Sequence, residues 1–387
     1  MSENFVLFTA WGYESSRQKA LVGGMVKNPA YLYESIEIAD IKDIITTSKD
    51  DSFFLEQDGN RVKTNVLKGL LKYVYRIYAI SKRARQLMSS QKSNVVLIHA
   101  HTPALAPLFI RREMAKLVIT AHGTHWPEFK ANHQVKGLRS AMVFAHAYAQ
   151  MRLERYVYAR ADRVVSVSNY QVDELVGDYK IDPTKIVVIP NGVDQTVYKS
   201  SNEDQKDIDV LFVGRPVPKK GIMLLIDAIK WLQSQDQGKR ISSTWVFGEG
   251  WVSEPNIGGY CKDRILTELD GQVYHNVAER DLAGVYRRAK IVVAPSTGYE
   301  SLPTVLIEAI FSGAIPLATR QFGNVEIIPP ELLFTEGNSL ELATKIKSIL
   351  EAPDYFQSLV KSIDMEPYKL KNCVNTHEAM YREVLDC

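Results

Sequence analysis

Residues 294–313 read APSTGYESLPTVLIEAIFSG, and this stretch decides the fold class. The apolar run that leads into it, KIVVAPS, is typical of a buried strand. Pro303 suits the first turn of a helix and Gly313 suits its C-cap, so a helix is predicted from about Pro303 to Ser312. A buried strand that leads through a short loop into a helix is the repeating unit of an α/β fold.

The same alternation runs along the chain in both directions. Apolar β-branched runs predict one series of strands at FVLFTA, VVLIHA, KLVITAHG, RVVSVS and KIVVIP. A second series follows the polar stretch KSSNEDQKDID, at DVLFVG, STWVFGEG, QVYHNV, KIVVAPS and GAIPLAT. Such runs, separated by helical periods, are typical of parallel sheets covered by helices on both faces.

A length of 387 residues favours two domains. We predict a Rossmann-like domain over residues 1–190 and a second over residues 191–366, with a helix at about 367–387 that packs back on the first domain. Ligands of open α/β sheets bind beyond the carboxyl ends of the strands. Two such domains that face each other are therefore expected to enclose an interdomain cleft.

Composition excludes several classes of function. A formal charge of +2 argues against bulk nucleic-acid binding. Neither a leader-like start nor a run of 18 apolar residues occurs, so a cytoplasmic location is expected. Cys261, Cys373 and Cys387 are widely spaced and odd in number, which suits neither a disulfide framework nor a zinc site.

Glu300 and Glu308 are the first candidate site residues. Glu300 lies in the loop before the predicted helix, whereas Glu308 is the sole charge in the apolar segment VLIEAIF. A carboxylate in such surroundings needs strong hydrogen bonds, which a pair of ribose hydroxyls would supply. The alternative is that Glu308 caps the helix or pairs with a core Arg or Lys.

Arg215 and Lys220 flank a loop in FVGRPVPKKG, at the end of one strand and before the helix GIMLLIDAIKWL. A guanidinium and an ammonium beside helix N-terminal amides suit a diphosphate. The alternative is that both residues are solvated cations in a surface turn. No GxxxxGK[ST] or GxGxxG motif occurs, so ATP hydrolysis and dinucleotide binding lose support.

The histidines allow two interpretations. His122 in TAHGTHW follows a strand and can reach a small polar ligand, or can be a satisfied structural histidine. His99 and His101 lack a nearby acid or cysteine that would complete a metal site, so we assign them a structural role. Asp207-Ile208-Asp209 matches a metal-binding DxD pattern but precedes a strand, so we interpret it as a solvated linker.

Taken together and in this order, the motifs resemble the family-four retaining glycosyltransferases of the GT-B fold, also called glycosyl transferases group 1. The resemblance is carried by the Glu-x7-Glu pair, by FVGRPVPKKG and VFGEG, and in the first half by HAHTP, TAHGTHW and VIPNGVD. It implies transfer of a hexose-type sugar from a nucleotide sugar, commonly a UDP-sugar, to an acceptor hydroxyl. No metal or other cofactor is required by the front-face mechanism that it implies.

The resemblance also implies residue roles. Arg215 and Lys220 would bind the donor diphosphate, Glu308 the ribose, and Glu300 the transferred sugar, with His122 bonding that sugar from the opposite domain. Further donor contacts would come from the backbone at Gly248, Ser301, Leu302 and Thr304. Near the start of the chain, Gly12 stands alone where relatives carry a glycine-rich acceptor loop, so the acceptor, a glycan or a lipid-linked molecule, is not identified.

Residues 59–112 contain no Asp or Glu but many Lys and Arg. Within this block Lys68, Lys72 and Arg76 recur at helical spacing beside an apolar face, which predicts peripheral docking on an anionic membrane surface, at the inner face of the membrane. The alternative is an ordinary surface helix. For the whole chain, the competing functions are a nucleotide-sugar epimerase of similar fold and a non-catalytic nucleotide-sugar-binding protein.

Overall fold

The computed structural model describes residues 5–10, 31–32, 34–37, 41–47, 53–57, 60–61, 96–101, 115–124, 126, 130, 138–201, 205–235, 240–248 and 255–386. These residues fall into two compact units. Unit 1 contains the described residues of Met1–Glu14, Met25–Pro190 and Asn372–Cys387. Unit 2 contains those of Asn191–Lys371.

The strands are, in chain order, β1 (Phe5–Ala10), β2 (Ile41–Thr47), β3 (Phe53–Gln57), β4 (Asn60–Arg61), β5 (Val96–Ala100), β6 (Lys116–Ala121), β7 (Arg163–Ser166), β8 (Ile186–Val188), β9 (Ile208–Gly214), β10 (Ser243–Phe247), β11 (Gln272–His275), β12 (Ala289–Ala294), β13 (Ile315–Thr319) and β14 (Leu333–Phe334).

The α-helices are α1 (Leu138–Arg160), α2 (Asn169–Gly177), α3 (Ile222–Gln235), α4 (Pro255–Arg264), α5 (Glu279–Arg288), α6 (Thr304–Phe311), α7 (Asn324–Ile327), α8 (Ser339–Glu351), α9 (Pro353–Lys361) and α10 (Leu370–Asp386). A π-helical segment, Ile265–Leu269, continues α4. Short 3-10 turns lie at Pro183–Lys185, Pro218–Lys220, Pro330–Leu332 and Glu366–Tyr368.

Unit 1 is built on a sheet with the strand order β4-β3-β2-β1-β5-β6-β7-β8. In this order, each pair of neighbours from β2-β1 to β7-β8 is parallel. Strand β3 instead pairs antiparallel with β2 and with β4. The sequence analysis did not predict β2, β3 and β4, which form one end of this sheet. The sheet therefore carries an antiparallel edge that the expectation of a purely parallel sheet did not include.

The core of unit 1 lies between its central strands and helices α1 and α2. Ile98 and Ile119 from neighbouring strands pack with Tyr158 of α1 and Leu175 of α2, all of them fully buried. Helix α2 begins after Ser168, whose hydroxyl accepts a hydrogen bond from the amide of Gln171. This cap supplies an acceptor for a first-turn amide that the helix itself leaves unpaired.

Unit 2 is built on a parallel sheet with the order β11-β10-β9-β12-β13-β14. The predicted α/β class with two sheets of largely parallel strands is thereby confirmed. Gly214 of β9 lies opposite Phe247 of β10, and Ala294 of β12 lies opposite Ala318 of β13. The loops after β9, β10 and β12 therefore leave the sheet at the same, carboxyl edge.

Candidate functional site

The loop that contains Glu300 connects β12 to α6 at this carboxyl edge. Helix α6 begins at Thr304, directly after Pro303, and Gly313 follows the helix with φ +74°. The helix predicted from about Pro303 to Ser312 is therefore present to within one residue at each end. Residues 295–303 form the loop, and the first turn of α6 presents amide groups at its mouth.

Glu300 forms a salt bridge with Lys220, in which Lys220 Nζ donates to Glu300 Oε1. The two side chains are 21% and 17% exposed, so the pair is partly shielded from water but still accessible. Ser296 Oγ donates a second, longer hydrogen bond of 3.2 Å to the same carboxylate oxygen. Two residues that the sequence predicted from separate motifs are thus in direct contact.

The backbone of the two loops is also joined. The amides of Thr297 and Gly298 donate to the carbonyl oxygen of Lys219 at 2.9 and 3.1 Å. Gly221 closes the 3-10 turn with φ +67°, and a Cβ at this position would lie 1.8 Å from the carbonyl oxygen of Pro295. Lys220 is therefore held between two points at which the loops touch.

Arg215 and Gly248 lie at the same carboxyl edge of the sheet as Lys220 and Glu300. Arg215 is the first residue after β9, and Gly248 is the first after β10. The amide of Gly248 donates to the carbonyl oxygen of Gly214 at 3.1 Å, which keeps the two strand ends in register. Both residues are half-buried at the carboxyl edge.

Glu308 is 3% exposed, and a buried tyrosine is one of the partners of its carboxylate. Tyr286 of α5 donates its hydroxyl to Glu308 Oε2 at 2.7 Å. The ring of Tyr198 meets the ring of Tyr286 edge-on, with 5.7 Å between centroids, and its hydroxyl donates to Glu279 Oε1 at 3.3 Å. Burial, and secondarily Glu308, raises the pKa of both tyrosine hydroxyls well above the usual value, so both stay protonated.

The backbone after Glu300 is supported from the next loop along the sheet. The amide of Gly323 donates to the carbonyl oxygen of Glu300 at 3.1 Å, and a Cβ on Gly323 would lie 2.0 Å from the carbonyl oxygen of Ser301. Thr319 Oγ1 and Gln321 Nε2 both donate to the carbonyl oxygen of Ser296, at 2.8 and 2.5 Å. The loop is thus fixed along its length.

The side chains of Ser301, Leu302 and Thr304 are buried beneath the loop. What these residues present toward the mouth of the loop is therefore mainly backbone. Pro303 has no amide hydrogen to donate. Sequence reasoning assigned no role to Tyr286, Thr319, Gln321 or Gly323, because their roles follow from tertiary contacts.

His122 belongs to unit 1, where it follows β6 directly. Its Nε2 lies 2.9 Å from Nδ1 of His101, and the two rings are stacked with centroids 5.2 Å apart. Burial of the ring, with a smaller effect of His377, lowers the pKa of His122 to about 3. The imidazole is therefore neutral at physiological pH.

His99 and His101 are fully buried, which agrees with their structural interpretation. His99 lies 2.7 Å from Thr120 Oγ1 through Nε2 and 2.5 Å from the hydroxyl of Tyr381 through Nδ1. Within the described ranges, no group of three or more His, Cys, Asp or Glu side chains is placed to hold a metal ion.

The interpretation of Asp207-Ile208-Asp209 as a solvated linker is wrong for Asp209, which lies within β9. Asp209 Oδ1 accepts from Lys290 Nζ at 2.7 Å, and Asp207 accepts from Arg288 at 2.8 and 2.6 Å. The pair of Asp209 joins β9 to the start of β12, and the pair of Asp207 joins the residue before β9 to the last residue of α5. Both lie at the amino ends of the strands, away from the carboxyl edge. The motif pattern did not reveal these tertiary partners.

Four predicted residues lie outside the described residues: Gly12, Lys68, Lys72 and Arg76. Their assignments stay predictions from sequence. None of the helices among the described residues is both long and apolar enough to span a lipid bilayer.

Comparison with known proteins gives two family matches. Residues 42–197 match the model described as Glycosyltransferase Family 4, and residues 207–352 match the model described as Glycosyl transferases group 1. A D-inositol 3-phosphate glycosyltransferase of Rhodococcus opacus is 29% identical over 52% of this chain and 48% of its own length. The chain spans about half the length of the curated relatives it matches.

Two solved structures are similar over nearly the whole chain. Sucrose-phosphate synthase from Thermosynechococcus elongatus has a TM-score of 0.76 at 18% identity and covers 99% of both chains. HepE of Anabaena, in complex with UDP-glucose, has a TM-score of 0.71 at 18% identity and covers 98% of this chain and 99% of its own. These likenesses are to the GT-B fold, and the two adjoining family matches show that the chain belongs to the family-four, group 1 glycosyltransferases.

Proposed function

We propose that the protein transfers a hexose-type sugar from a nucleotide sugar, a UDP-sugar, to an acceptor hydroxyl with retention of the anomeric configuration. The observation that carries the proposal is the contact between Lys220 and Glu300 at the carboxyl edge of the unit 2 sheet. The contact places an ammonium beside a carboxylate at the mouth of a helix. A ligand that joins a diphosphate to a hydroxyl-rich sugar can engage both groups at once.

In this proposal the two cations compensate the diphosphate. Arg215 offers a planar fork of donors and Lys220 a compact ammonium, and the first-turn amides of α6 add their dipoles. Charge compensation matters most as the sugar leaves, because the departing phosphate then gains negative charge. These groups supply the electrostatic stabilisation by themselves, so the proposed route requires no metal or other cofactor.

The remaining roles divide between sugar and nucleoside. Glu300 accepts hydrogen bonds from the transferred sugar, and Glu308 accepts them from the ribose hydroxyls. Backbone groups at Gly248, Ser301, Leu302 and Thr304 complete the donor contacts. His122, which is neutral, is proposed to bond the donor sugar from unit 1.

The proposed reaction is a front-face substitution. The anomeric C–O bond to the β-phosphate breaks while the acceptor oxygen forms the new C–O bond on the same face. The acceptor proton passes to the departing phosphate oxygen, so no protein nucleophile is needed. Catalysis then consists mainly of positioning and leaving-group stabilisation.

HepE of Anabaena, whose fold this chain shares, is described in complex with UDP-glucose, and this supports the choice of UDP as donor nucleotide. We further propose that the acceptor is a glycan or a lipid-linked molecule, reached from an anionic membrane surface. The acid-free block at residues 59–112 supports the membrane part of the proposal.

The donor is identified first with a panel of nucleotide sugars. A bound donor raises the unfolding temperature by mass action, so the best donor gives the largest shift. Incubation of that donor with candidate acceptors, followed by NMR of the anomeric proton, then reports the stereochemistry. Epimerised donor without acceptor would favour the epimerase, and binding without any turnover would favour the non-catalytic protein.

The site assignment is tested by Lys220→Ala and Glu308→Ala. Each is expected to abolish measurable transfer, with kcat at least about 100-fold lower, because each removes a charged contact to the donor. Initial rates with the best donor measure this. Lys219→Ala is the matched control, since Lys219 is the neighbouring lysine but is exposed. Wild-type turnover in Lys220→Ala or Glu308→Ala would refute the assignment.

A further inference from the structure

Helices α5 and α6 lie on either side of β12 in the chain, and a buried hydrogen bond joins them. Tyr286 Oη donates to Glu308 Oε2 at 2.7 Å, and Tyr286 is 0% exposed. A buried carboxylate without a donor would be strongly destabilising, so this bond explains how Glu308 can lie in an apolar helix. The bond also restricts the carboxylate in a way that has consequences for binding.

The side-chain torsion that sets the plane of a glutamate carboxylate is broad, so the plane is usually ill-defined. One strong donor on Oε2 defines it. A carboxylate has acceptor capacity for about four hydrogen bonds, so the bond to Tyr286 uses only part of that capacity. A protonated tyrosine donates a hydrogen bond without neutralising the carboxylate, which an Arg or Lys partner would do.

Tyr286 is itself held in place by a second tyrosine. The ring of Tyr198 packs edge-on against it, and the hydroxyl of Tyr198 donates to Glu279, which is also buried. Each of the two packed tyrosines therefore donates to a buried carboxylate, Tyr286 to Glu308 and Tyr198 to Glu279.

We propose that Tyr286 is a positioning residue for nucleoside recognition, which fixes the carboxylate of Glu308 for the vicinal ribose hydroxyls of the donor. The proposal rests on the proposed function, in which Glu308 binds the ribose. It makes Tyr286 responsible for the preference of the site for ribose over deoxyribose. Tyr198 supports the ring of Tyr286 through its edge-on contact.

The test compares the dissociation constants of UDP and 2′-deoxy-UDP, measured by calorimetry on the full chain. Their ratio isolates the ribose contact, because the diphosphate and base are common to both ligands. A hydrogen bond to a charged acceptor predicts a preference for UDP of about tenfold or more in the wild type. In Tyr286→Phe the preference is expected to fall to less than about threefold.

Tyr179→Phe is the matched control. It removes a buried hydroxyl that also donates to a buried carboxylate, Glu154 Oε2, but in unit 1, so it leaves the bond to Glu308 and is expected to keep the wild-type ratio. A preference that stays at the wild-type level in Tyr286→Phe would overturn the proposal. Equal loss in Tyr286→Phe and Tyr179→Phe would also overturn it, since a purely structural role of buried hydroxyls predicts that result.

Glu308→Gln separates this inference from the proposed function. If Glu308→Gln loses the preference while Tyr286→Phe keeps it, the positioning role of Tyr286 is overturned and the ribose assignment stands. If the wild type has no preference, or Glu308→Gln keeps it, the ribose assignment itself fails. Thermal unfolding of each variant shows whether a lost preference reflects lost structure.

Discussion

Gly221 occupies a position beside Lys220 that other residues fill only with strain. Its φ of +67° lies in the left-handed region, and an added Cβ would meet the backbone of Pro295 at 1.8 Å. The conformation alone costs an L-residue about 1–2 kcal/mol, and a backbone contact this short forces the loop to move. We predict that Gly221→Ala lowers the free energy of unfolding by more than about 2 kcal/mol and weakens nucleotide binding.

Urea unfolding and UDP titration measure the two effects, and Gly259→Ala is the control for the glycine substitution. Gly259 lies in helix α4, and a Cβ there would meet no atom within 4 Å. Alanine is expected to be neutral or to stabilise the helix by up to about 1 kcal/mol. A Gly221→Ala protein as stable as the wild type would show that the two loops are not held as tightly as this contact requires.

Single residues also show where sequence reasoning succeeds and where it stops. The structure brings Lys220 and Glu300 into contact, as their positions after two neighbouring parallel strands allow one to expect. The partner of Glu308 was not predictable in the same way. Tyr286 belongs to the buried face of the amphipathic helix α5. Its position in the sequence does not indicate which carboxylate its hydroxyl contacts.

Helix α10 is the element whose packing depends most directly on neutral histidines. It contributes His377 and Tyr381, and these lie against His99, which neighbours His101. Burial lowers the pKa of His377 to about 4, and it lowers the pKa of His99 and His101 well below the usual value. The folded state therefore disfavours protonation at each of these rings.

The pH dependence of stability follows from these directions. A histidine with an unfolded pKa of about 6.5 takes up a proton in the unfolded chain first, so folding stability falls as the pH drops below about 6.5. For His377 the loss continues until the pH reaches the folded pKa of about 4, and for His122 until about 3. Above pH 7 these rings are neutral in both states and contribute no slope.

We predict a loss of up to about 1.4 kcal/mol per pH unit for each such histidine between pH 6 and pH 4.5. Urea unfolding at a series of pH values measures the slope. His377→Asn is expected to reduce this slope by the contribution of about one proton. A stability that is flat from pH 7 to pH 4.5 would contradict the effect of burial.

Some strands could be predicted from the sequence and others could not. The central strands of both sheets were recognised, because strands buried on both faces read as continuous apolar runs. The edge strands β2 to β4 were missed, since they are short or mix polar with apolar residues. Asp58-Gly59 between FFLEQ and NR is a hairpin signal that would have revealed the antiparallel pair.

At the scale of the whole molecule, the predicted donor residues and His122 divide between the two units. Arg215, Lys220, Glu300 and Glu308 all lie within Asn191–Lys371, whereas His122 lies within Met25–Pro190. The chain passes between the units at Pro190 and again within α10, after Lys371. The donor residues can thus be tested by measurements of donor binding alone. The acceptor is harder to predict, because few motifs were recognised near the start of the chain, where it is expected to bind.

The distribution of charge over the whole chain supports one last prediction. The net charge is only +2, yet residues 59–112 carry no acid, so positive charge is concentrated in one segment. Anionic lipid attracts such a segment with about 1 kcal/mol for each Lys or Arg near the surface. We therefore expect the protein to sediment with vesicles that contain anionic phospholipid, and to do so less at high salt.

Replacement of Lys68, Lys72 and Arg76 by Glu is expected to weaken this binding by at least about 100-fold, because three attractive charges are lost and three repulsive ones are added. The control replaces the exposed residues Lys347, Lys361 and Lys371 by Glu, which changes the net charge equally at other positions. If total charge alone governed binding, both triple variants would lose it alike. Unchanged sedimentation of the first variant would instead favour an ordinary surface helix whose apolar face covers the first sheet.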